Sequence, residues 1–189
     1  MSGYLDITIG CMFSGKTSKL IAEYNYLKIL NKVIAVNHSF DTRYNDLKDF
    51  SHLVCHDQNK IPCIMLSDLH HEWFNSSSKF YRYLHNNDFI LINEAQFFNN
   101  LKDVVLDMLK NNKKVYLYGL DGDYRQEKFG EILDLIPYCD NIEKLVAKCV
   151  KCKEYAIFSQ RLHENTDQVL IGSNCYIPVC RKCFTTFNT

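Results

Sequence analysis

With 189 residues the chain is the size of one principal domain with room for a small appendage, and 47% hydrophobic residues supply a core. The formal net charge is zero, which excludes a bulk electrostatic attraction to nucleic acid or to an anionic membrane surface. No apolar run approaches the roughly 20 residues of a membrane span, so neither nucleic acid nor a membrane is an expected partner.

In chain order, YLDITIG (Tyr4 to Gly10) reads as a β-strand closed by glycine. KTSKLIAEYNYLKILN follows, with Leu20, Ile21, Tyr24, Leu27 and Leu30 at helical spacing. KVIAVNH and FILIN give a second and third strand, LKDVVLDMLKNNKK a helix, VYLYGLDG a fourth strand and EKLVAKC a fifth. HNNDF and FNSSSKF read as loops, with His70-His71 a solvated loop pair and Tyr81 and Tyr83 as core or surface. Continuous apolar strands alternating with helices predict an α/β fold, a parallel sheet covered by helices on both faces. Near Lys148 the texture changes to short strands, turns and cysteines. This divides the chain into a domain over residues 1–148 and a small zinc-binding unit over residues 149–189.

GCMFSGKT, residues Gly10, Cys11, Met12, Phe13, Ser14, Gly15, Lys16 and Thr17, fits G-x-x-x-x-G-K-[ST] and lies between a strand and a helix. That context matters more than the letters. Successive backbone N–H groups wrap a polyphosphate while the following helix points its positive end at it. Lys16 reaches the β- and γ-phosphates, and the Thr17 hydroxyl suits Mg²⁺. The motif predicts nucleotide binding without choosing between kinase, GTPase and motor; its bland counterpart is a chance glycine-rich turn.

CVKC supplies Cys149 and Cys152, and CRKC supplies Cys180 and Cys183. Two C-x-x-C pairs flanking residues 153–179 predict a closed tetrahedral Zn²⁺ site that is structural because no position stays open for water. The competing reading is a pair of redox dithiols. The remaining cysteines are scattered. An odd total of nine, with no basic and apolar leader in MSGYLDITIG, predicts a reducing, cytoplasmic setting, a host cell's cytoplasm if the protein is viral.

Several motifs in order resemble the type II, zinc-containing thymidine kinases over almost the whole chain. GCMFSGKTSKL is similar to that family's G-P-M-F-S-G-K-[ST]-[ST]-x-L, with Cys11 in place of Pro. DTRY (Asp41 to Tyr44), His56-Asp57, NEAQFF, GLDGDYRQEKFG and the loop ending IGSNCYIPVC resemble its later motifs. The resemblance implies transfer of the ATP γ-phosphoryl group to the 5′-hydroxyl of thymidine, and of deoxyuridine, with Mg²⁺ as cofactor. It also implies a homotetramer and feedback inhibition by thymidine triphosphate.

Residue by residue, the resemblance makes Glu94 the base. It adds Asp41, Thr42, Arg43, Asn93 and Gln96 to the nucleotide side. The pyrimidine would lie among Met12, Phe97, Leu120, Tyr124 and Phe129, with Ser159, Gln168, Val169, Leu170, Ile171, Gly172 and Tyr176 from the lasso loop. Without the resemblance most of these aromatics would read as core. Glu94 also fits on chemistry, since a carboxylate can align a primary hydroxyl and accept its proton. Its strand is expected beside the P-loop strand, opening on the γ-phosphate.

Besides Cys11, four departures stand out. Tyr124 replaces Phe and adds a phenol that must find a partner. Ser159 replaces Thr but keeps the hydroxyl. The lasso is one residue short before Tyr176. Asn93 replaces Asp, which predicts a kinase with a high Mg²⁺ requirement. Two other classes share the main motifs: a P-loop ATPase with a nucleic-acid-binding zinc ribbon, and a non-catalytic nucleotide-binding relative in which Asn93 marks a decayed site. A basic stripe, which this chain lacks, would mark the first, and a phosphorylation assay separates all three.

Overall fold

The computed structural model describes residues 2–41, 50–55, 57–164, 166–172 and 174–185. Its centre is a seven-stranded sheet built from β1 (Tyr4–Gly10), β2 (Val33–His38), β3 (Phe50–Val54), β4 (Lys60–Leu66), β5 (Phe89–Ile92), β6 (Lys114–Gly119) and β7 (Asn141–Leu145). The order across the sheet is β3-β4-β2-β5-β6-β1-β7, parallel throughout except where β3 pairs antiparallel with β4.

The apolar runs of the central strands follow from burial on both faces. In β5, Ile90 and Ile92 belong to the core beneath one face and Leu91 to the core beneath the other. In β2, Ile34 and Val36 alternate in the same way with Ala35. A period of two with both phases apolar is what a central parallel strand requires.

Helix α1 (Lys16–Leu27) covers one face with Leu20, Ile21, Tyr24 and Leu27. The other face carries α2 (Leu69–Phe74), α3 (Tyr81–Asn86) and α4 (Leu101–Lys110). Periodicity carries the predicted first helix to Asn31, but it stops at Leu27 because nothing remains to pack against. Leu30 is 90% exposed, and the Asn31 side chain donates to the Leu27 carbonyl at 2.9 Å, beside a long turn bond from the Leu30 N–H. The β3–β4 hairpin and the helices α2 and α3 lie where no regular element was expected. His70 and His71 are therefore on a helix, not in a loop; the Asp68 carboxylate caps it by accepting from the His71 N–H.

The C-terminal part is built from β8 (Ala147–Lys148), β9 (Tyr155–Ala156), β10 (Phe158–Arg161), β11 (Tyr176–Val179) and the short helix α5 (Arg181–Thr185). Strands β8 and β9 pair, as do β10 and β11, around a small core of Ala147, Cys149, Ala156, Val179, Cys180 and Phe184. Cys11 of the P-loop completes that core, so this part is packed against the nucleotide motif. Among the described residues no helix is long and apolar enough to cross a membrane.

Candidate active site

Because β1, β2, β4, β5, β6 and β7 run parallel, their C-terminal ends share one edge, and the expected site residues gather there. Gly10 (φ +154°) ends β1 where a Cβ would lie 2.5 Å from the Leu145 carbonyl oxygen. Phe13 and Gly15 have φ of 64° and 88°, and α1 begins directly afterwards at Lys16. This alternation turns successive N–H groups inward, the anion-binding geometry of a P-loop. The Lys16 ammonium donates to the Gly10 and Cys11 carbonyls at 3.0 and 2.8 Å. Ser14 Oγ is buried with no hydrogen-bond partner among the described residues, a polar atom suited to a phosphate oxygen.

Glu94 leaves β5 at φ 52°, a left-handed conformation costing a non-glycine residue on the order of 1 kcal/mol and favoured at functional sites. Its carboxylate accepts from Gln96 Nε2 at 2.8 Å. The strand order corrects one expectation: β6 lies between β5 and β1, so the Glu94 strand is not adjacent to the P-loop strand. The short 3-10 turn Ala95–Phe97 makes up the distance by folding over the end of β6, where Gln96 Oε1 accepts from the Leu120 N–H at 2.9 Å. Gly130 (φ +61°) permits the approach from the far side, since a Cβ there would sit 2.2 Å from the Gln96 carbonyl oxygen.

The result is one cleft of about 520 Å³. Met12 through Thr17, Asp41, Glu94, Phe97, Leu120, Tyr124, Phe129, Ser159, Gln168 through Gly172 and Tyr176 all border it. Its aromatic wall is backed by His38, which is 3% exposed and packs its ring against Phe40, Phe97 and Phe98. Burial pulls the His38 pKa down to about 4, against the opposing pull of a hydrogen bond with the Ser67 backbone, so the wall stays uncharged at neutral pH.

The model of the family described as thymidine kinase matches residues 3–184. "Thymidine kinase 1" of Dictyostelium discoideum is 35% identical over 191 residues, covering 98% of this chain and 79% of that protein. "Thymidine kinase a" of Arabidopsis thaliana is 37% identical over 189 residues, 98% and 76%. The vaccinia virus (strain Western Reserve) thymidine kinase is 34% identical over 184 residues, 96% and 97%. The chain belongs to the thymidine kinase family.

Within that family frame, some expected residues lie outside the cleft. The Cys11 side chain turns into the C-terminal core and donates to the Ala156 carbonyl at 3.4 Å, while Gly10 and Gln96 support the site from beneath. Asn93 is 2% exposed and does not border the cleft. Its amide donates to Asn37 Oδ1 at 2.9 Å, and Asn37 in turn donates to Asp41 Oδ2 at 3.1 Å. Thr42, Arg43 and His56 lie outside the described residues.

Sequence reasoning also missed contributors. Phe40, Val54, Cys55, Gly122 and Asp123 border the cleft, and Arg161 lies behind its lasso wall. Asp123 is 6% exposed and accepts from the backbone of Arg125 and Glu127 and from the Gln168 side chain. Both Asp123 and the DGDY stretch around it were within view, but a turn acid gives no sign in sequence that it will be buried.

The four paired cysteines converge. Their sulfurs lie within 4.8 Å of one another, with Cys152 Sγ and Cys180 Sγ 3.5 Å apart. Sulfurs about 2.3 Å from a tetrahedral zinc would be about 3.8 Å apart, so the cluster fits Zn²⁺. The Lys153 N–H donates to the Cys149 carbonyl at 2.9 Å, closing the first C-x-x-C turn. For Mg²⁺, the Thr17 hydroxyl and Asp41 carboxylate on the cleft border are the hard oxygen donors that ion takes.

Proposed function

We propose that this protein is an ATP-dependent thymidine kinase acting on thymidine and deoxyuridine. The observation that carries the reading is the shared cleft. A phosphate-binding loop, a carboxylate on a strand end and an aromatic, lasso-walled chamber border a single space. The triphosphate lies along the P-loop, and the pyrimidine lies among Met12, Phe97, Leu120, Tyr124 and Phe129 under residues 168–172. Thr17 and Asp41 would hold Mg²⁺, which spreads negative charge on the β- and γ-phosphates.

Glu94 aligns the 5′-hydroxyl and accepts its proton as the 5′-oxygen bonds to the γ-phosphorus. The bond from that phosphorus to the β–γ bridging oxygen breaks, and ADP leaves. Lys16 gives up its two loop carbonyls to follow the charge on the phosphates. The Gln96 amide holds Glu94 in place, and the neutral aromatic wall keeps water from competing as the acceptor. Structural zinc, a homotetramer, feedback inhibition by thymidine triphosphate and a reducing cytoplasmic setting belong to the same proposal.

Incubation with γ-labelled ATP and thymidine tests it, with label expected in the nucleoside monophosphate. Glu94→Gln should lower turnover by about 10² to 10⁴, while calorimetry shows both substrates still bound. Turnover within threefold of the parent would move the base role elsewhere. Label released only as inorganic phosphate, with nucleic acid stimulating it, would favour the ATPase reading. Nucleotide binding without turnover would favour a decayed site.

A further inference from the structure

Three consecutive backbone carbonyls at the start of the lasso segment are held by two side chains from elsewhere in the fold. Tyr124 Oη donates to the Thr166 carbonyl at 3.0 Å. The Arg161 guanidinium donates to the Asp167 carbonyl through one terminal nitrogen and to the Gln168 carbonyl at 3.0 Å through the other. The same guanidinium donates to Tyr176 Oη and lies 3.8 Å from the centre of the Tyr124 ring. Arg161 is only 8% exposed.

We infer that Arg161 and Tyr124 form a latch that holds the lasso over the nucleoside end of the cleft, with Arg161 a positioning residue for substrate binding. This rests on the lasso being the nucleoside wall. A guanidinium suits the role because its fork offers several donors in fixed directions and its flat face stacks on an aromatic ring. Lysine could carry the charge but could not span two successive carbonyls and a phenol from one plane. The Tyr124 hydroxyl, which stands where the family's motif has Phe, takes the one carbonyl that Arg161 does not.

The latch is anchored at both ends. Arg161 ends β10, which pairs with β11 beside the cysteine cluster, and Tyr124 follows Asp123, whose carboxylate is fixed by two backbone N–H groups. Gln168 adds a cross-tie to Asp123 Oδ2 at 3.0 Å. Loosening the latch should therefore free residues 166–172 while leaving the P-loop side intact.

The test compares the zinc-loaded parent with Arg161→Met, Arg161→Lys and Tyr124→Phe. Hydrogen exchange of the segment 166–172 is measured without ligand, and thymidine and ATP affinities are measured separately. Arg161→Met should speed exchange in that segment and weaken thymidine binding at least tenfold, with ATP affinity within twofold and one zinc retained per chain. Arg161→Lys should recover only part of the loss, and Tyr124→Phe should cost a few-fold. Unchanged exchange and thymidine affinity in the Arg161 variants would overturn the latch. If Arg161→Met loses zinc or does not fold, Arg161→Lys and Tyr124→Phe decide by the same two readouts. Faster exchange with unaltered thymidine binding would overturn the latch's role in substrate binding. A parent that binds no thymidine would instead remove the function reading on which it rests.

Discussion

The two halves of the cleft are made differently. The phosphate half is local: residues 10–17 form it almost alone, from backbone N–H groups, positive-φ residues and the start of α1. The nucleoside half is assembled from afar: Tyr124, Arg161, Gln168 and Tyr176 are held by side-chain bonds, and Phe97 by ring contacts with His38 and Phe129. A local half tolerates damage elsewhere in the chain. An assembled half inherits every weakness in its supports.

The sharpest way to break that contrast is to remove the metal. Chelation of zinc, or Cys152→Ser, should unfasten β10 and β11 and weaken thymidine binding by tenfold or more, with a much smaller, several-fold loss for ATP through the bond between Ser159 on β10 and the Met12 N–H. Elemental analysis should find one zinc per parent chain. A metal-free protein with full activity would remove the structural role. Equal losses on both substrates would show that the halves are not independent.

A smaller effect should come from the bond that joins them. The Met12 N–H donates to Ser159 Oγ at 2.9 Å, and Ser159 is 5% exposed. Ser159→Ala leaves the part-buried Met12 N–H without that partner, a loss of about 1 kcal/mol. Because Met12 serves both halves, KM should rise several-fold for ATP and for thymidine together. A change confined to one substrate would mean that the bond supports only that side.

The smallest kinetic effect is expected at Asn93. A carboxylate placed there would face Asn37 Oδ1, and Asn37 could turn to donate only by giving up Asp41. Asn93→Asp should therefore lower thermal stability by about 1–3 kcal/mol without reducing the Mg²⁺ concentration needed for half-maximal rate. This reverses the expectation drawn from the residue type alone. A several-fold fall in that concentration would return Asn93 to the metal.

What could be read in the sequence follows the same division. The P-loop, α1 and the central strands are contiguous, and their signals (glycine spacing, 3.6-residue periodicity, unbroken apolar runs) are contiguous too. The β3–β4 hairpin escaped because it is an edge element: Phe50 is 51% exposed, and Pro62 argues against a strand interior. Helices α2 and α3 have six residues each, too few for a period to declare itself. Most aromatic cleft residues came from the family resemblance, since nothing in Phe97 or Phe129 alone separates a pocket wall from a core. Arg161 was missed because arginine is by default a surface residue, and only its partners reveal that it is buried. The order of β5, β6 and β1 was beyond sequence altogether; it depends on where the α4 crossover sets down the next strand.

The latch grips oxygen atoms that every amino acid carries. Thr166, Asp167 and Gln168 are held by their carbonyls, so most of what those positions spell is immaterial to the grip. What the grip does register is count: removing one residue between Arg161 and Gln168 moves every later carbonyl in that stretch out of step with Arg161. Residues 162–168 would be free to drift in composition while remaining strict about their number, whereas the loop beyond them, one residue short before Tyr176, is under no such constraint.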